Sequence, residues 1–316
     1  MSRAADPSRG DRPDTAEQPT LLVDPTTQRP ILMAPMRQSR PFLTGARSTQ
    51  AICPFCPGHE SSTPPSIDGW PEQSDGGRWD APGWDVRVFP NKYPACRHHE
   101  VIAEGSAHQE QAGDLDERTW QRVVSVWQRR IRDLESRPDV ACSFLFKNVG
   151  AAAGASIAHS HSQLLGLDAA PPRLRLEQLC ARDLPTCPWC ASASTAAADG
   201  RLVVETEHHL VLAPEPPKLP NETWVLPKSC EDDFLTTDAA SLGRALHQLF
   251  VAVRDALVRP AWNLWLHRLP GERFHWHFEL QPRTGQLAGL ELGGDMYINS
   301  FPAAASAARF RDHLPR

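Results

Sequence analysis

The residues best suited to chemistry are two pairs of cysteines and a run of closely spaced histidines. Cys53 with Cys56, and Cys187 with Cys190, are each C-x-x-C, the spacing at which one turn presents two thiolates to a single ion. The run GASIAHSHSQ, residues 154–163, puts His159, His161 and Gln163 at alternate positions, so on a strand all three project from one face. A neutral imidazole is a competent nucleophile toward phosphorus at physiological pH, and the phosphoramidate it forms is reactive enough to pass its cargo onward. With His159 on a metal, His161 would stand beside it and face the same cleft.

These residues recur at comparable intervals. Cys53 to Cys187 is 134 residues, His159 to His275 is 116, and His108 to Cys230 is 122, which points to one duplicated α+β unit. The duplication assigns Cys53, Cys56, His108 and His159 to one metal and Cys187, Cys190, Cys230 and His275 to another. His208 and His209 are the alternatives to Cys230, disfavoured because His108 to His208 spans only 100 residues. Four protein ligands per ion leave no open position for substrate, so both metals are expected to be structural zinc. Cys96, Cys142 and Cys180 read as ordinary thiols. His277 and Glu279 match His161 and Gln163 in the second repeat and read as structural residues of a decayed copy.

The elements that must carry these residues are legible as periodicity. Short apolar runs at 84–89, 100–104 and 143–147 read as strands, and Trp120, Val123, Val124, Trp127, Ile131 and Leu134 as the buried face of a helix entered past Asp114 and Asp116. The second half repeats the order. Strands in RLVVETEHHLVLAP and ETWVLP precede a helix with Leu242, Leu246, Leu249, Val253 and Leu257 on one face, then AWNLWLHRL and the His-rich FHWHFEL. Residues 57–83 are dense in Pro, Gly and Ser and read as a long surface loop, while residues 1–20 read as a disordered tail. Domains of 21–172 and 173–316 follow.

Composition bounds the partners. A net charge of -5 offers no broad attraction to nucleic acid or anionic membrane. With no run approaching a membrane span and no apolar leader at the N-terminus, the expected location is the cytoplasm, where C-x-x-C pairs serve as metal thiolates.

GASIAHSHSQ resembles the H-x-H-x-Q motif of the galactose-1-phosphate uridylyltransferase branch of the histidine-triad superfamily. CPFCPGHESSTPP resembles that branch's opening zinc motif, VFPNKYPA its nucleotide-binding loop, FKNVGAAAGAS the approach to the nucleophile, and FHWHFELQPR with LELGGDMYINS its closing strands. The resemblance spans roughly residues 30 to 315. It implies duplicated histidine-triad-like half-barrels of antiparallel sheet with crossover helices. It also implies a two-step reaction in which His161 takes the nucleotide from a nucleotide sugar such as UDP-glucose, and a second sugar phosphate then removes it. Carried over residue by residue, Gln163 would hold the α-phosphate, Ser156 and Asn148 would donate hydrogen bonds near it, Phe89, Asn91 and Phe146 would line the nucleoside pocket, and Arg40 would reach the phosphates. Tyr297 and Asn299 are candidates for touching the hexose. Relatives commonly form homodimers with residues of both subunits at the site.

Histidine-triad hydrolases carry a third histidine where this chain has Gln163, and an amide cannot act as an acid at neutral pH, which favours transfer over hydrolysis. Ser160 and Ser162 replace the prolines or glycine that often flank the nucleophile, and Cys230 sits where relatives with two zincs often carry histidine. The H-S-H-S-Q form and the intact second C-x-x-C look closer to ADP-glucose phosphorylase. The expected activity is that of a UDP-glucose–hexose-1-phosphate uridylyltransferase, with an ADP-sugar phosphorylase or adenylyltransferase of the same family as the alternative, since nucleobase and acceptor are not fixed by these residues. A nucleotide hydrolase and a non-catalytic zinc module are the remaining alternatives.

Overall fold

The computed structural model describes residues 19–35, 37, 53–72, 79–271 and 274–316; Arg40 and nearly all of the expected N-terminal tail lie outside them. A hairpin of β1 (Thr20–Val23) and β2 (Pro30–Met33) forms a separate two-stranded sheet. The first half then runs β3 (Asp68–Trp70), β4 (Val86–Pro90), β5 (His98–Glu104), α1 (Glu117–Glu135), β6 (Cys142–Val149) and β7 (His161–Leu167). Two short helices follow, α2 (Pro172–Arg182) and α3 (Pro188–Ala196), then β8 (Leu202–Glu205), β9 (His209–Leu212), β10 (Thr223–Pro227), α4 (Ala239–Ala256), β11 (Trp262–His267) and β12 (His277–Pro282). Helices α5 (Gly289–Gly294) and α6 (Ala303–Arg311) end the chain.

All ten strands from β3 to β12 belong to one antiparallel sheet in the order β3-β4-β5-β7-β6-β11-β12-β10-β9-β8. The two halves mirror one another about the β6–β11 pair, as duplicated α+β units should. They join through these penultimate strands rather than through the closing strands β7 and β12, which lie one place in on either side. A strand with ladder bonds on both edges cannot slip without breaking both sets, so β7, held between β5 and β6, is fixed in register.

One cross-sheet row follows from that register. Phe89, Val101, Gln163, Phe146, Trp265, Glu279 and Trp224 are successive partners and share one face. The opposite face is covered by α1 and α4. All six apolar residues anticipated for α1 are buried there, with Trp120 and Trp127 packed against Phe250 and Phe278. Asp116 caps α1, accepting from Thr119 N–H at 2.7 Å, and Asp114 instead ties the approach to α4 through Arg254 and Arg259. The region 57–83 is not loop throughout: Asp68–Trp70 pairs with β4 as an edge strand, its three residues too few to leave a periodic signature. Among the described residues no helix is long and apolar enough to cross a membrane.

The two covering helices cross closely where α4 carries Gly243. A Cβ there would lie 2.7 Å from the backbone nitrogen of Gln121 on α1, so backbone rather than a flexible side chain would have to move. Gly243→Ala should lower unfolding stability by about 1–3 kcal/mol in urea titrations, and an unchanged midpoint would contradict the crossing.

Candidate active site and metal centres

The loop joining β6 to β7 turns at Gly150 and Gly154, with φ of 80° and 85°, values that side-chain-bearing residues rarely adopt. It delivers His159 and Ser160 just ahead of the ladder and His161 as the first residue of β7. His159, His161 and Gln163 are all buried.

Cys53, Cys56, His108 and His159 bring four ligand atoms within 4.8 Å of one another. Cys56 Sγ lies 3.3 Å from His108 Nδ1 and 3.6 Å from His159 Nδ1, and Cys53 Sγ lies 3.8 Å from His159 Nδ1. A tetrahedral ion bonded at about 2.3 Å to sulfur and 2.05 Å to nitrogen requires N···S edges of about 3.5 Å. The donor set therefore fits such an ion. His159 Nε2–H donates to the Gly105 carbonyl at 2.9 Å, which leaves the Nδ1 lone pair facing the thiols. Burial pushes His159 down to about 4, so the ring is neutral at physiological pH. Burial and the neighbouring Cys53 push the Cys56 thiol up to about 11. Only a cation in the cluster would hold it as thiolate at neutral pH.

The second half repeats this geometry. His275 Nδ1 lies 3.3 Å from Cys187 Sγ and 3.5 Å from Cys190 Sγ, its Nε2–H donates to the Pro227 carbonyl at 3.0 Å, and burial pushes it too down to about 4. Cys230 stands beside Cys190 but outside the compact group of Cys187, Cys190 and His275. Neither of its rivals joins that group in its place: His209 has Nδ1 on Ser241 and Nε2 on Thr237, both at 2.9 Å, and His208 also lies outside it.

His161 opens onto a cavity of about 250 Å³, lined among others by Phe55, Phe89, Asn91, Tyr93, Ser156 and Gln163. Its Nδ1–H donates to the His159 carbonyl at 2.7 Å, so the lone pair is on Nε2. The Phe55 ring meets the imidazole edge to face at 5.3 Å. Phe146 and Asn148 lie off the cavity's lining, on the same sheet face: Phe146 is the direct partner of Gln163, and Asn148 accepts from Asn263 at 2.7 Å.

His99 is a site residue that the sequence reading missed. Its Nδ1 accepts from Ala95 N–H at 2.9 Å, so its Nε2–H donates to Gln163 Oε1 at 3.0 Å. The amide oxygen of Gln163 is thereby occupied, and its NH₂ group is the part left to donate to an anion. His99 lies two residues before Val101, the partner of Gln163, and so shares its face, but the pairing that reveals this is long-range and leaves no local signal.

The matching cleft of the second half is filled. Trp189 packs on His277 at 4.9 Å, Glu177 binds His267 at 2.9 Å, and Glu279, the counterpart of Gln163, binds Lys218 at 2.6 Å and accepts from Trp265 Nε1 at 3.1 Å. Glu177, His267, His277 and Glu279 form a third compact group able to hold a cation, with mixed oxygen and nitrogen donors. Asn299 donates to the Pro217 carbonyl and Tyr297 is exposed.

The fold and this site define a nucleotidyltransferase of the duplicated histidine-triad type. Residues 84–171 match the family model described as galactose-1-phosphate uridyl transferase, N-terminal domain. The chain is 28% identical to an ADP-glucose phosphorylase of Arabidopsis thaliana over 94% of each protein, and 23% identical to a galactose-1-phosphate uridylyltransferase of Thermotoga maritima over 92% of this chain and 98% of that one. The crystal structure of an Arabidopsis thaliana ADP-glucose phosphorylase with bound ADP-glucose superposes with a TM-score of 0.72 at 27% identity, covering 93% of this chain and 99% of that one. The chain is thus similar to the galactose-1-phosphate uridylyltransferase family over its first half and to ADP-glucose phosphorylase along nearly its whole length.

Elemental analysis of the purified protein should find two divalent ions per chain at the cysteine clusters, and Cys56→Ser should remove one while leaving that at Cys187, Cys190 and His275. Retention of both ions in the variant would contradict the ligand assignment.

Proposed function

We propose that the protein transfers a nucleoside monophosphate from a nucleotide sugar to His161 and then to a phosphate-bearing acceptor, with ADP-glucose as donor and inorganic phosphate as acceptor. His161 Nε2 attacks the α-phosphorus, a P–N bond forms, the P–O bond to the sugar phosphate breaks, and glucose 1-phosphate leaves. A phosphate oxygen then attacks the same phosphorus, ADP departs and the imidazole is regenerated. The observation that carries this reading is the His161 Nδ1–H bond to the His159 carbonyl, because it puts the lone pair on the nitrogen needed for attack at the cavity.

The remaining roles follow from position. Gln163, its oxygen engaged by His99, donates its NH₂ to the α-phosphate, and Ser156 supplies a second donor; each such donor at developing charge contributes a factor of about 10² to 10³. Phe89 and Asn91 line the nucleoside pocket, with Phe146 and Asn148 supporting it from the adjacent strand. Zinc suits both thiolate clusters, and in the first it would brace His159, whose carbonyl orients His161. The cytoplasm suits thiols used in this way.

ADP-glucose is preferred as donor because, over a similar share of both chains, the identity to the phosphorylase is 28% against 23% to the Thermotoga maritima uridylyltransferase. A second reading, UDP-glucose with a hexose 1-phosphate, is favoured by the likeness to a galactose-1-phosphate uridylyltransferase. Intact-protein mass spectrometry after separate incubation with each donor distinguishes them. The expected result is retained AMP from ADP-glucose, absent in His161→Asn. Retained UMP alone would select the second reading, steady release of free AMP without acceptor would indicate a hydrolase, and transfer by the variant would overturn the nucleophile.

A further inference from the structure

On the far side of the sheet from His161, beneath α1, lies an ion pair that burial alone does not explain. Lys147 on β6 and Glu104 at the end of β5 are 1% and 0% exposed, and Lys147 Nζ is bonded to Glu104 Oε2. The ammonium also donates to Ser160 Oγ at 2.8 Å and to the His161 carbonyl at 3.1 Å, and Ser160 Oγ donates to Glu104 Oε2 at 2.9 Å. The Glu104 Oε1 atom is buried without a hydrogen-bond partner among the described residues. Two desolvated charges with one oxygen left unsatisfied contribute less stability than an apolar pair of similar volume, so the packing of the core gives no reason for them.

What this pair does hold is the backbone of residues 160 and 161. Ser160 N–H donates to the Gln109 carbonyl at 2.6 Å and the Ser160 carbonyl accepts from Glu104 N–H at 2.9 Å, so every polar atom of Ser160 is tied. Two residues on, Trp127 Nε1–H donates to Ser162 Oγ at 2.8 Å. The segment needs such anchors because it is where the irregular loop enters the ladder: His161 is the first residue of β7, and the carbonyl that orients its ring belongs to His159, outside the strand.

We propose that Lys147, Glu104 and Ser160 form a positioning cluster that holds the His161 imidazole in line with the α-phosphorus by clamping the peptide units on either side of Ser160. The inference rests on the reading of His161 as nucleophile. The cluster touches no substrate; it acts through the backbone, and its loss displaces the ring without altering the nucleotide pocket.

The test compares the wild type, the paired variant Lys147→Met/Glu104→Leu, which removes both charges together, and Ser160→Ala, which removes one hydroxyl. Rapid-quench mass spectrometry with ADP-glucose, or with UDP-glucose should that be the donor, gives the rate of adduct formation and its half-saturating concentration. Metal content is measured on the same samples. Misplacement of a reacting group by about 1 Å lowers a rate by about 10². The paired variant should therefore form the adduct on the order of 10²-fold more slowly, and Ser160→Ala about tenfold, with half-saturation and metal content unchanged. A folded, metal-loaded paired variant as fast as the wild type would overturn the proposal, as would slowing matched by weaker saturation or metal loss. Should the paired variant not fold, an unaltered rate in Ser160→Ala overturns it alone. A wild type that forms no adduct rejects the His161 reading itself, and the cluster's role with it.

Discussion

The arrangement turns on one bond, from His161 Nδ1–H to the carbonyl of His159. It joins the metal cluster to the proposed nucleophile through the main chain, because the residue that accepts it is the residue whose ring faces Cys53 and Cys56. A metal bound there would hold His159, its carbonyl would orient the His161 ring, and the lone pair would be left on Nε2. No open coordination position is needed for that, so the ion's work would be mechanical rather than Lewis-acidic.

The strand that carries this bond has two chemically distinct faces. His159, His161 and Gln163 serve the cleft, while Ser160 and Ser162 serve the buried side. Ser160 and Ser162 thereby find a physical role. A proline at residue 160 would lack the N–H given to Gln109 and the hydroxyl shared by Lys147 and Glu104.

The second half shows what the duplicated frame does when its cleft is filled. His275 repeats the thiol contacts and carbonyl bond of His159, and His277 repeats the bond of His161 by donating to the His275 carbonyl at 3.0 Å. Yet Trp189 covers His277 and Lys218 neutralises Glu279. Equivalent backbone geometry thus yields one open cleft and one closed one, and the difference lies in what α2, α3 and the segment before β10 supply.

How much of this was legible beforehand follows from range. Alternation along GASIAHSHSQ and the apolar faces of α1 and α4 are local patterns; the structure keeps His161 and Gln163 on β7 but leaves His159 ahead of it, and keeps every apolar residue read on the two helices except Leu257, the C-cap of α4. The C-x-x-C spacing was local as well, and of the ligands assigned by interval matching His108, His159 and His275 stand with the thiols while Cys230 lies outside its compact group. Pairings across the fold left no such trace. The β6–β11 join, the edge strand within 57–83, His99 behind Gln163 and the Lys147–Glu104 pair each depend on residues well beyond the reach of a local pattern, and a buried lysine looks like any other in sequence. The central claim is most directly tested by a crystal structure of the enzyme trapped with its nucleotide sugar in the absence of acceptor. The account predicts the α-phosphorus bonded to Nε2 of His161 with Nδ1–H still on the His159 carbonyl; phosphorus on Nδ1, or on any other residue, would contradict it.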